Sequence, residues 1–292
     1  MTIRDLGEAT RELADALDSC SGKLLVVTGA GVSLASGIPT FRGTDPGAIW
    51  KSDLTELATF EFFQNDPVES WRFYLDRFDL VRDARPNPAH RAIAAIDRVR
   101  GERGEDFLLV TQNVDTLHEA AGTARMIKVH GSADRVRCSS PRCRLGAPRG
   151  SIQFGRQDVA AFMNDPSFDT LPRCPECEAP LRPHVLWFDE FYGDHEDYQW
   201  NRLLSAAVEA STIVFVGTSF SVGVTDVILQ SGLATGAAML SIDPGAHRQP
   251  VRTLRHLAVP AEEVLPAACR KLGVSIDPHQ PPSPAVDAAT NG

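Results

Sequence analysis

Short apolar runs alternate along this chain with segments of helical periodicity. The runs are rich in Val, Ile and Leu and are bounded by glycine or polar residues, a pattern typical of strands buried on both faces. They predict strands at residues 24–27, 107–111, 126–129, 185–188, 213–217 and 238–242. Apolar residues at helical spacing predict helices at 3–18, 87–100, 198–209 and 262–272, and an aromatic-rich helical segment at 44–85. The alternation predicts an α/β fold with a Rossmann-like parallel sheet and helices on both faces.

Composition narrows the class of protein only slightly. The chain has 292 residues, with 29 Lys and Arg against 38 Asp and Glu, so its formal charge of −9 argues against general nucleic-acid binding. No apolar run has the roughly 18 residues that a membrane helix needs, and the N-terminus lacks a signal-peptide pattern. We therefore expect a cytoplasmic protein without a membrane contact, and a monomer. The Pro- and Ala-rich residues 277–292 are expected to be disordered.

The strand at 24–27 is followed by an unusual glycine-containing segment, VTGAGVSLASGIPTFRG. Gly29 and Gly31 suit a Rossmann turn that presents backbone N–H groups to a pyrophosphate. However, position 34 of the expected third glycine holds Leu34, and no P-loop lysine follows. From these residues alone, a phosphate-binding turn and an ordinary tight turn are both consistent with the pattern.

Polar residues follow several of the predicted strands. Gln112, Asn113 and Asp115 come after the strand at 107–111, and His130 follows the strand at 126–129. Open parallel sheets place their ligands at the carboxyl ends of strands, so an amide, a carboxylate and an imidazole there suggest a site. Asp243 follows the strand at 238–242 and could accept hydrogen bonds from ribose hydroxyls or cap the next turn.

Four of the six cysteines lie in one part of the chain, as Cys138, Cys143, Cys174 and Cys177. In a chain without a secretory signal, this clustering favours a metal over disulfides. Four thiolates complete a tetrahedral Zn²⁺ shell with no open position, so one structural zinc is predicted. Cys20 and Cys269 are assigned no role.

Taken together and in this order, GAGVSLASGIPTFRG, TQNVDTLHEAAG, VHGS, two cysteine pairs, RPHVLWFDE and VGTS resemble the sirtuin family of NAD-dependent protein deacylases. The resemblance spans about residues 20–272. It implies a Rossmann-like NAD-binding domain at 1–131 and 184–276, a zinc-binding module at 132–183, and an acyl-lysine peptide substrate bound between them.

The resemblance also implies roles for matched residues. His130 would be the catalytic base and Asn113 would position ribose or water. Residues 185–188, namely Val185, Leu186, Trp187 and Phe188, would pair with the substrate peptide as a strand. The residues expected to bind NAD are Gly29, Ala30, Gly31, Ser33, Ile38, Phe41, Arg42, Gln112, Asn113, Asp115, Gly217, Thr218, Ser219 and Asp243.

Within the family, the chain looks most like the class III branch, whose members remove acidic acyl groups. Thr40, the segment RPHVLWFDE, and Tyr74 with Arg77 carry this similarity. On a helix, positions i and i+3 share a face, so a phenol and a guanidinium can both approach one carboxylate. Preference for succinyl- or malonyl-lysine is therefore expected.

Three alternatives remain open: deacetylation without acidic-acyl preference, consumption of NAD by an ADP-ribosyltransferase or NAD hydrolase, and NAD sensing without catalysis. The first cysteine pair is CxxxxC rather than CxxC, Asp243 stands where sirtuins commonly have Asn, and residues 220–225 lack the proline usual after GTS. These departures concern the geometry of the zinc and adenosine sites.

Overall fold

The computed structural model describes residues 2–40, 56–245 and 250–277, and its larger sheet has seven parallel strands. The ten strands of the two sheets are β1 Thr2–Ile3, β2 Lys23–Thr28, β3 Phe107–Thr111, β4 Met126–Lys128, β5 Gly131–Cys138, β6 Ile152–Gln153, β7 Leu181–Val185, β8 Ala210–Val216, β9 Ala238–Ile242 and β10 Arg255–Leu257. The larger sheet has the order β1-β10-β9-β8-β2-β3-β4. Its direction of growth reverses at β2, between β3 and β8, which is where open α/β sheets bind their ligands.

Helices cover both faces of the large sheet. The helices are α1 Leu6–Asp18, α2 Phe60–Asn65, α3 Pro67–Arg82, α4 Pro88–Glu102, α5 Leu117–Ala120, α6 Ala160–Asn164, α7 Trp200–Glu209, α8 Gly223–Thr235 and α9 Ala261–Lys271. One apolar cluster joins α1, α4 and α9 to the sheet, and a second joins α7 and α8 to its other face. The predicted Rossmann-like fold with helices on both faces is confirmed.

A second, antiparallel sheet has the order β6-β5-β7 and a separate apolar core shared with α2, α3 and α6. The chain passes from β4 of the large sheet into β5 of the small sheet through His130 and Gly131. Gly131 has φ +83°, and a Cβ there would lie 2.0 Å from the His184 carbonyl oxygen. Only glycine fits this crossing because both its backbone angle and its closeness to β7 exclude a side chain.

The structure differs from the sequence-based expectations at both ends of the chain. Ile3, predicted to begin the first helix, lies instead in β1 and pairs with Leu257 of β10. Neither this short edge pair nor α8 was predicted. Among the helices of the described ranges, none combines the length and apolar character needed to cross a membrane.

The prediction of a strand at residues 185–188 is wrong in its position. The strand is β7, Leu181–Val185, paired with β5, and the chain turns immediately after it. The turn forms because the Trp187 N–H donates 3.0 Å to the Glu190 carboxylate rather than to a neighbouring strand.

Candidate active site

The loops that follow β2 and β8 pack directly against each other at the reversal point of the sheet. The Gly31 N–H donates to the Gly217 carbonyl oxygen at 2.9 Å. A Cβ on Gly31 would lie 2.7 Å from Gly217 Cα, and Gly217 itself has φ +59° with Val32 N only 2.3 Å from its would-be Cβ. These glycines are therefore required by contact between two backbones. Their predicted contact with a pyrophosphate stays a prediction.

A buried chain of hydrogen bonds joins the glycine loop to the residues that follow β3. Asn113 Nδ2 donates to the Gly29 carbonyl oxygen at 3.2 Å and to Ser33 Oγ at 3.1 Å. Ser33 Oγ in turn donates to Asp115 Oδ2 at 2.9 Å. Because Asn113, Ser33 and Asp115 are hydrogen-bonded in series, the Asn113 amide and the Asp115 carboxylate are held in fixed orientations before any ligand binds.

Gln112 ties the loop after β3 to the loop after β8. Its Nε2 donates to the Thr28 carbonyl oxygen at 3.2 Å and to Thr218 Oγ1 at 3.3 Å. The structure thus brings together eight of the residues predicted to bind a nucleotide, from three separate strand ends. These eight are Gly29, Gly31, Ser33, Gln112, Asn113, Asp115, Gly217 and Thr218.

His130 lies at this same edge, half-buried between β4 and β5. Its Nδ1–H donates to the Gln112 carbonyl oxygen at 2.8 Å, and this contact fixes the neutral tautomer with a lone pair on Nε2. Burial lowers the pKa of His130 to about 4, an effect that the hydrogen bond to Gln112 opposes only in part. The imidazole is consequently neutral near pH 7, so its Nε2 can accept a proton.

Tyr192 contacts His130, although no pattern in the sequence indicated it. Its hydroxyl lies 3.3 Å from His130 Nε2, and the two rings stack with centroids 5.8 Å apart. The opposite face of the phenol stacks on Trp200 at 4.5 Å. Since Nδ1 carries the proton of the neutral imidazole, the phenol is the donor in this pair. No motif or spacing connects residues 130 and 192.

The remaining predicted nucleotide-binding residues lie around this edge with varied contacts. Ile38 is buried just after the glycine loop, Ala30 begins a short 3₁₀ helix, and Ser219 Oγ bonds Ser221 Oγ. Asp243 Oδ1 accepts the Gly245 N–H at 2.7 Å, which is the turn-capping alternative left open by the sequence. Phe41 and Arg42 lie outside the described residues.

Tyr74 and Arg77 lie on one face of α3, beneath the turn that follows β7. The Tyr74 ring stacks on Trp187 with centroids 6.0 Å apart, and burial raises the pKa of its hydroxyl far above the ordinary value. The Arg77 guanidinium lies 3.4 Å from the Phe73 ring centroid, and its Nη1 donates to the Phe73 carbonyl oxygen at 2.6 Å. Burial lowers the pKa of Arg77.

Residues 185–188, predicted to pair with a substrate peptide as a strand, do not form one strand in the structure, because β7 ends at Val185. Val185 and Trp187 are buried, whereas the Phe188 side chain is exposed. The Leu186 N–H donates to the His130 carbonyl oxygen at 2.9 Å and the Phe188 N–H to the Ala58 carbonyl oxygen at 3.0 Å. These N–H groups are engaged within the protein, so a peptide strand would have to replace the Ala58 contact.

The four clustered cysteines converge in the small sheet region. Their sulfur atoms all lie within 4.8 Å of one another, with Cys138 Sγ 3.5 Å from Cys177 Sγ and Cys143 Sγ 3.6 Å from Cys174 Sγ. Tetrahedral zinc with Zn–S bonds of about 2.3 Å requires sulfur atoms about 3.8 Å apart. Backbone N–H groups of Ser140 and Leu145 also point at two of the sulfurs. The cluster fits a zinc-binding module despite its CxxxxC spacing.

The chain has a Rossmann-like sheet with a polar edge, a neutral imidazole beside that edge, and an inserted four-cysteine module. Together these features define a class of nucleotide-dependent enzyme. Residues 29–224 match the family model described as the Sir2 family. The chain belongs to the Sir2 family.

Curated relatives and a solved structure agree with this assignment. An NAD-dependent protein deacylase of Thermus thermophilus is 36% identical over 255 residues, 87% of this chain and 89% of the relative. The mitochondrial sirtuin-5 of Danio rerio, named an NAD-dependent protein deacylase, is 39% identical over 184 residues, which are 57% of each chain. A crystal structure of a Sir2 homologue with NAD superposes with TM-score 0.74 and 32% identity, covering 94% of this chain and 98% of that one.

Proposed function

We propose that this protein is an NAD-dependent protein-lysine deacylase, which transfers the acyl group of an acyl-lysine to ADP-ribose with release of nicotinamide. The names of its relatives support this activity. The observation that carries it is the geometry of His130, whose Nδ1–H is fixed by the Gln112 carbonyl oxygen and whose Nε2 keeps a lone pair that accepts from the Tyr192 hydroxyl.

The described residues fit NAD because hydrogen-bonding groups from three strand ends converge at the reversal point of the sheet. Bound NAD would supply the ribose that receives the acyl group and the nicotinamide that leaves. Asn113 and Asp115 are held at this edge of the sheet through Ser33. His130 would offer its Nε2 lone pair to a ribose hydroxyl of bound NAD, for which the Tyr192 hydroxyl would have to leave that nitrogen.

The four cysteines would hold one structural zinc ion. Four thiolates leave no open position for substrate, so the metal would supply no chemistry at His130. Cys138 ends β5, and Cys174 and Cys177 precede β7, so the ion would fasten the central strand of the small sheet, β5, to the edge strand β7. This fastening supports the turn that carries Leu186 and Tyr192 to His130.

The His130→Ala variant tests the proposed base. We expect deacylation of acyl-lysine peptides to fall by about 10²- to 10⁴-fold, because general base catalysis contributes that much. NAD binding by calorimetry and the thermal midpoint should stay close to wild type. Unchanged deacylation would exclude this mechanism. NAD consumption by the wild type that does not depend on acyl peptide would favour the hydrolase or ADP-ribosyltransferase alternative.

We further propose that the enzyme prefers succinyl- or malonyl-lysine. Tyr74 stacks on Trp187 and Arg77 lies close to Tyr74, while the Leu186 N–H donates to the His130 carbonyl oxygen, so the acyl end of a bound lysine would point toward this pair. An acidic acyl group buried there would need a cationic partner. Burial lowers the pKa of the Arg77 guanidinium, and a carboxylate beside it would offset that cost.

Arg77→Met tests this preference against Arg72→Met, an exposed arginine on the same helix. We expect Arg77→Met to lower kcat/KM for succinyl peptides by about 10- to 100-fold, as for loss of a charged hydrogen bond, and to spare acetyl peptides. Arg72→Met should behave as wild type on both. Equal losses on acetyl and succinyl peptides would leave a deacetylase without acidic-acyl preference.

A further inference from the structure

A second cluster of metal-ligating side chains lies outside both the candidate active site and the four-cysteine site. His184 belongs to β7, and His195 and Asp197 lie on the segment that links β7 to α7. We propose that His184, His195 and Asp197 form a second metal site, which binds Zn²⁺ or a similar divalent transition ion. This site goes beyond the proposed deacylation and is independent of it.

The spacing of the three side chains suits a metal ion. One ligand atom from each lies within 4.8 Å of the others. His184 Nε2 is 3.1 Å and His195 Nδ1 is 3.8 Å from Asp197 Oδ2. A tetrahedral ion with bonds of about 2.0 Å to nitrogen and oxygen requires ligand atoms about 3.3 Å apart. Both distances to Asp197 Oδ2 are within about 0.5 Å of that value, and the two histidine nitrogens are no more than 4.8 Å apart.

His195 is already oriented as a metal-bound histidine is. Its Nε2–H donates to the Gly150 carbonyl oxygen at 3.1 Å, so the lone pair is on Nδ1, the nitrogen nearer Asp197. Histidines that bind metals usually donate their other N–H to a backbone carbonyl or a carboxylate in this way. At present Nδ1 accepts a long 3.2 Å contact from the Asp197 N–H, which the ion would replace.

His184 is the independent reason to expect a ligand. Its side chain is 1% exposed, its Nδ1 has no hydrogen-bond partner in the described part of the chain, and the one polar neighbour of its Nε2 there is the Asp197 carboxylate, 3.1 Å away. Its ring is held by stacking on Tyr198, with centroids 5.4 Å apart. Buried polar atoms without partners are rare in folded proteins because they lose their water without compensation. An ion bound between Nε2 and the Asp197 carboxylate would give Nε2 a ligand bond in place of this single contact.

The surroundings allow a cation to bind. Asp197 brings one negative charge, and its Oδ2 accepts the Ser151 hydroxyl at 2.6 Å, which orients the carboxylate. The nearby Arg137 and Arg182 guanidiniums share the one Glu190 carboxylate, which cancels one of their two positive charges and leaves Asp197 as the group that attracts the cation. The Asp197 side chain is 41% exposed, which leaves an entry path and room for water as the fourth ligand.

An ion here would tie together parts of the chain that meet beside the active site. Ser151 and Gly150 precede β6, whereas His195 and Asp197 shortly follow Tyr192, the residue in contact with His130. We expect the bound ion to stiffen the segment that carries Tyr192.

The test measures metal stoichiometry in the full chain. After saturation with Zn²⁺ and desalting, elemental analysis of the wild type should give about two zinc ions per chain, one at the four cysteines and one at the new site. His195→Asn keeps a side chain that can cap the same turn, and Asp197→Asn keeps its size; each should give about one. Glu196→Gln, which removes the same charge from the same turn, should retain two.

Titration with Co²⁺ distinguishes the two sites spectroscopically. Binding at thiolates gives strong sulfur-to-metal charge-transfer absorption, whereas a site of imidazole and carboxylate ligands gives only weaker visible bands. In the wild type we expect a second equivalent that adds visible bands without charge transfer, and no such equivalent in Asp197→Asn. One metal ion per chain in the wild type, or two in both ligand variants, would overturn the proposal.

Discussion

Strands β3 and β7 each consist of five buried residues, yet they are buried by opposite means. β3, Phe107–Thr111, is apolar until its last residue and lies between two apolar clusters. β7, Leu181–Val185, places Arg182 and His184 in the interior of the small sheet region, each 2% exposed or less. The large sheet is therefore held mainly by apolar burial, while the small sheet has, beside its own apolar core, buried charges and thiols that must find partners.

The buried charges beneath β7 form one compact group. Arg182 donates to both carboxylate oxygens of Glu190, at 2.5 and 3.0 Å, and Arg137 donates to the same carboxylate at 2.6 Å. The Arg182 guanidinium also lies 3.3 Å from the Trp187 ring centroid. Burial alone would raise the pKa of the Glu190 carboxyl, but the two arginines hold this pKa below its ordinary value. The contrast between the sheets predicts that single polar substitutions damage the small sheet far more than the large one.

The largest effect is expected at the cysteine cluster. Cys174 is fully buried, and its replacement in Cys174→Ala removes one of the four proposed zinc ligands. We expect loss of the structural metal and a fall in the free energy of unfolding of several kcal/mol, because metal binding stabilises only the folded module. Elemental analysis and urea unfolding would measure both quantities.

Cys20→Ser is the matched control for that experiment. Cys20 is also buried but lies beside the large sheet, far from the cluster in sequence and outside it in the structure. It should retain the metal at the four-cysteine site and lose only about 1 to 2 kcal/mol. Full zinc content in Cys174→Ala would mean that the cluster does not bind the ion.

The next effect is expected at the buried carboxylate. Glu190→Gln leaves Arg137 and Arg182 buried without a counter-charge, and breaking such a group costs about 3 to 5 kcal/mol. Glu196→Gln breaks an ion pair with Arg149 in which both partners are exposed, and should leave the urea midpoint almost unchanged. The two urea midpoints make the comparison; equal midpoints would show that the buried charges contribute no more than surface ones.

The same contrast explains what the sequence could predict. The bounds of β3 follow from its apolar run because nothing in it competes with a buried strand. The sequence pattern predicted β7 at the wrong residues because LRPHV contains a charge, a proline and an imidazole, which are typical of a loop. In the structure, Glu190 pairs with the arginine of this segment and so allows it to be buried. Local patterns record apolar burial, but they do not record a partner eight residues away.

The candidate site divides in a similar way. Its residues after strand ends, Gln112, Asn113 and His130, follow from the rule that parallel sheets bind ligands at that edge. The packing of Gly31 on Gly217 could not be predicted, because it joins two loops that are distant in sequence. The contact of Tyr192 with His130 was missed for the same reason.

The smallest predicted effect concerns the contact between Tyr192 and His130 at the carboxyl edge of the large sheet. In Tyr192→Phe the neutral His130 loses the phenol that donates to its Nε2. A hydrogen bond of about 0.5 to 1.5 kcal/mol that favours the neutral imidazole keeps its pKa low, so its loss should raise the pKa of His130 by about half a unit to one unit. Because the base must be neutral, the acid limb of kcat/KM should move to higher pH by the same amount.

Tyr198→Phe is the control. It removes a phenol from the same segment, but this phenol contacts Arg137, so the change should lower stability without moving the acid limb. A limb that stays in place in Tyr192→Phe, or moves equally in both variants, would show that the phenol does not set the protonation of the base.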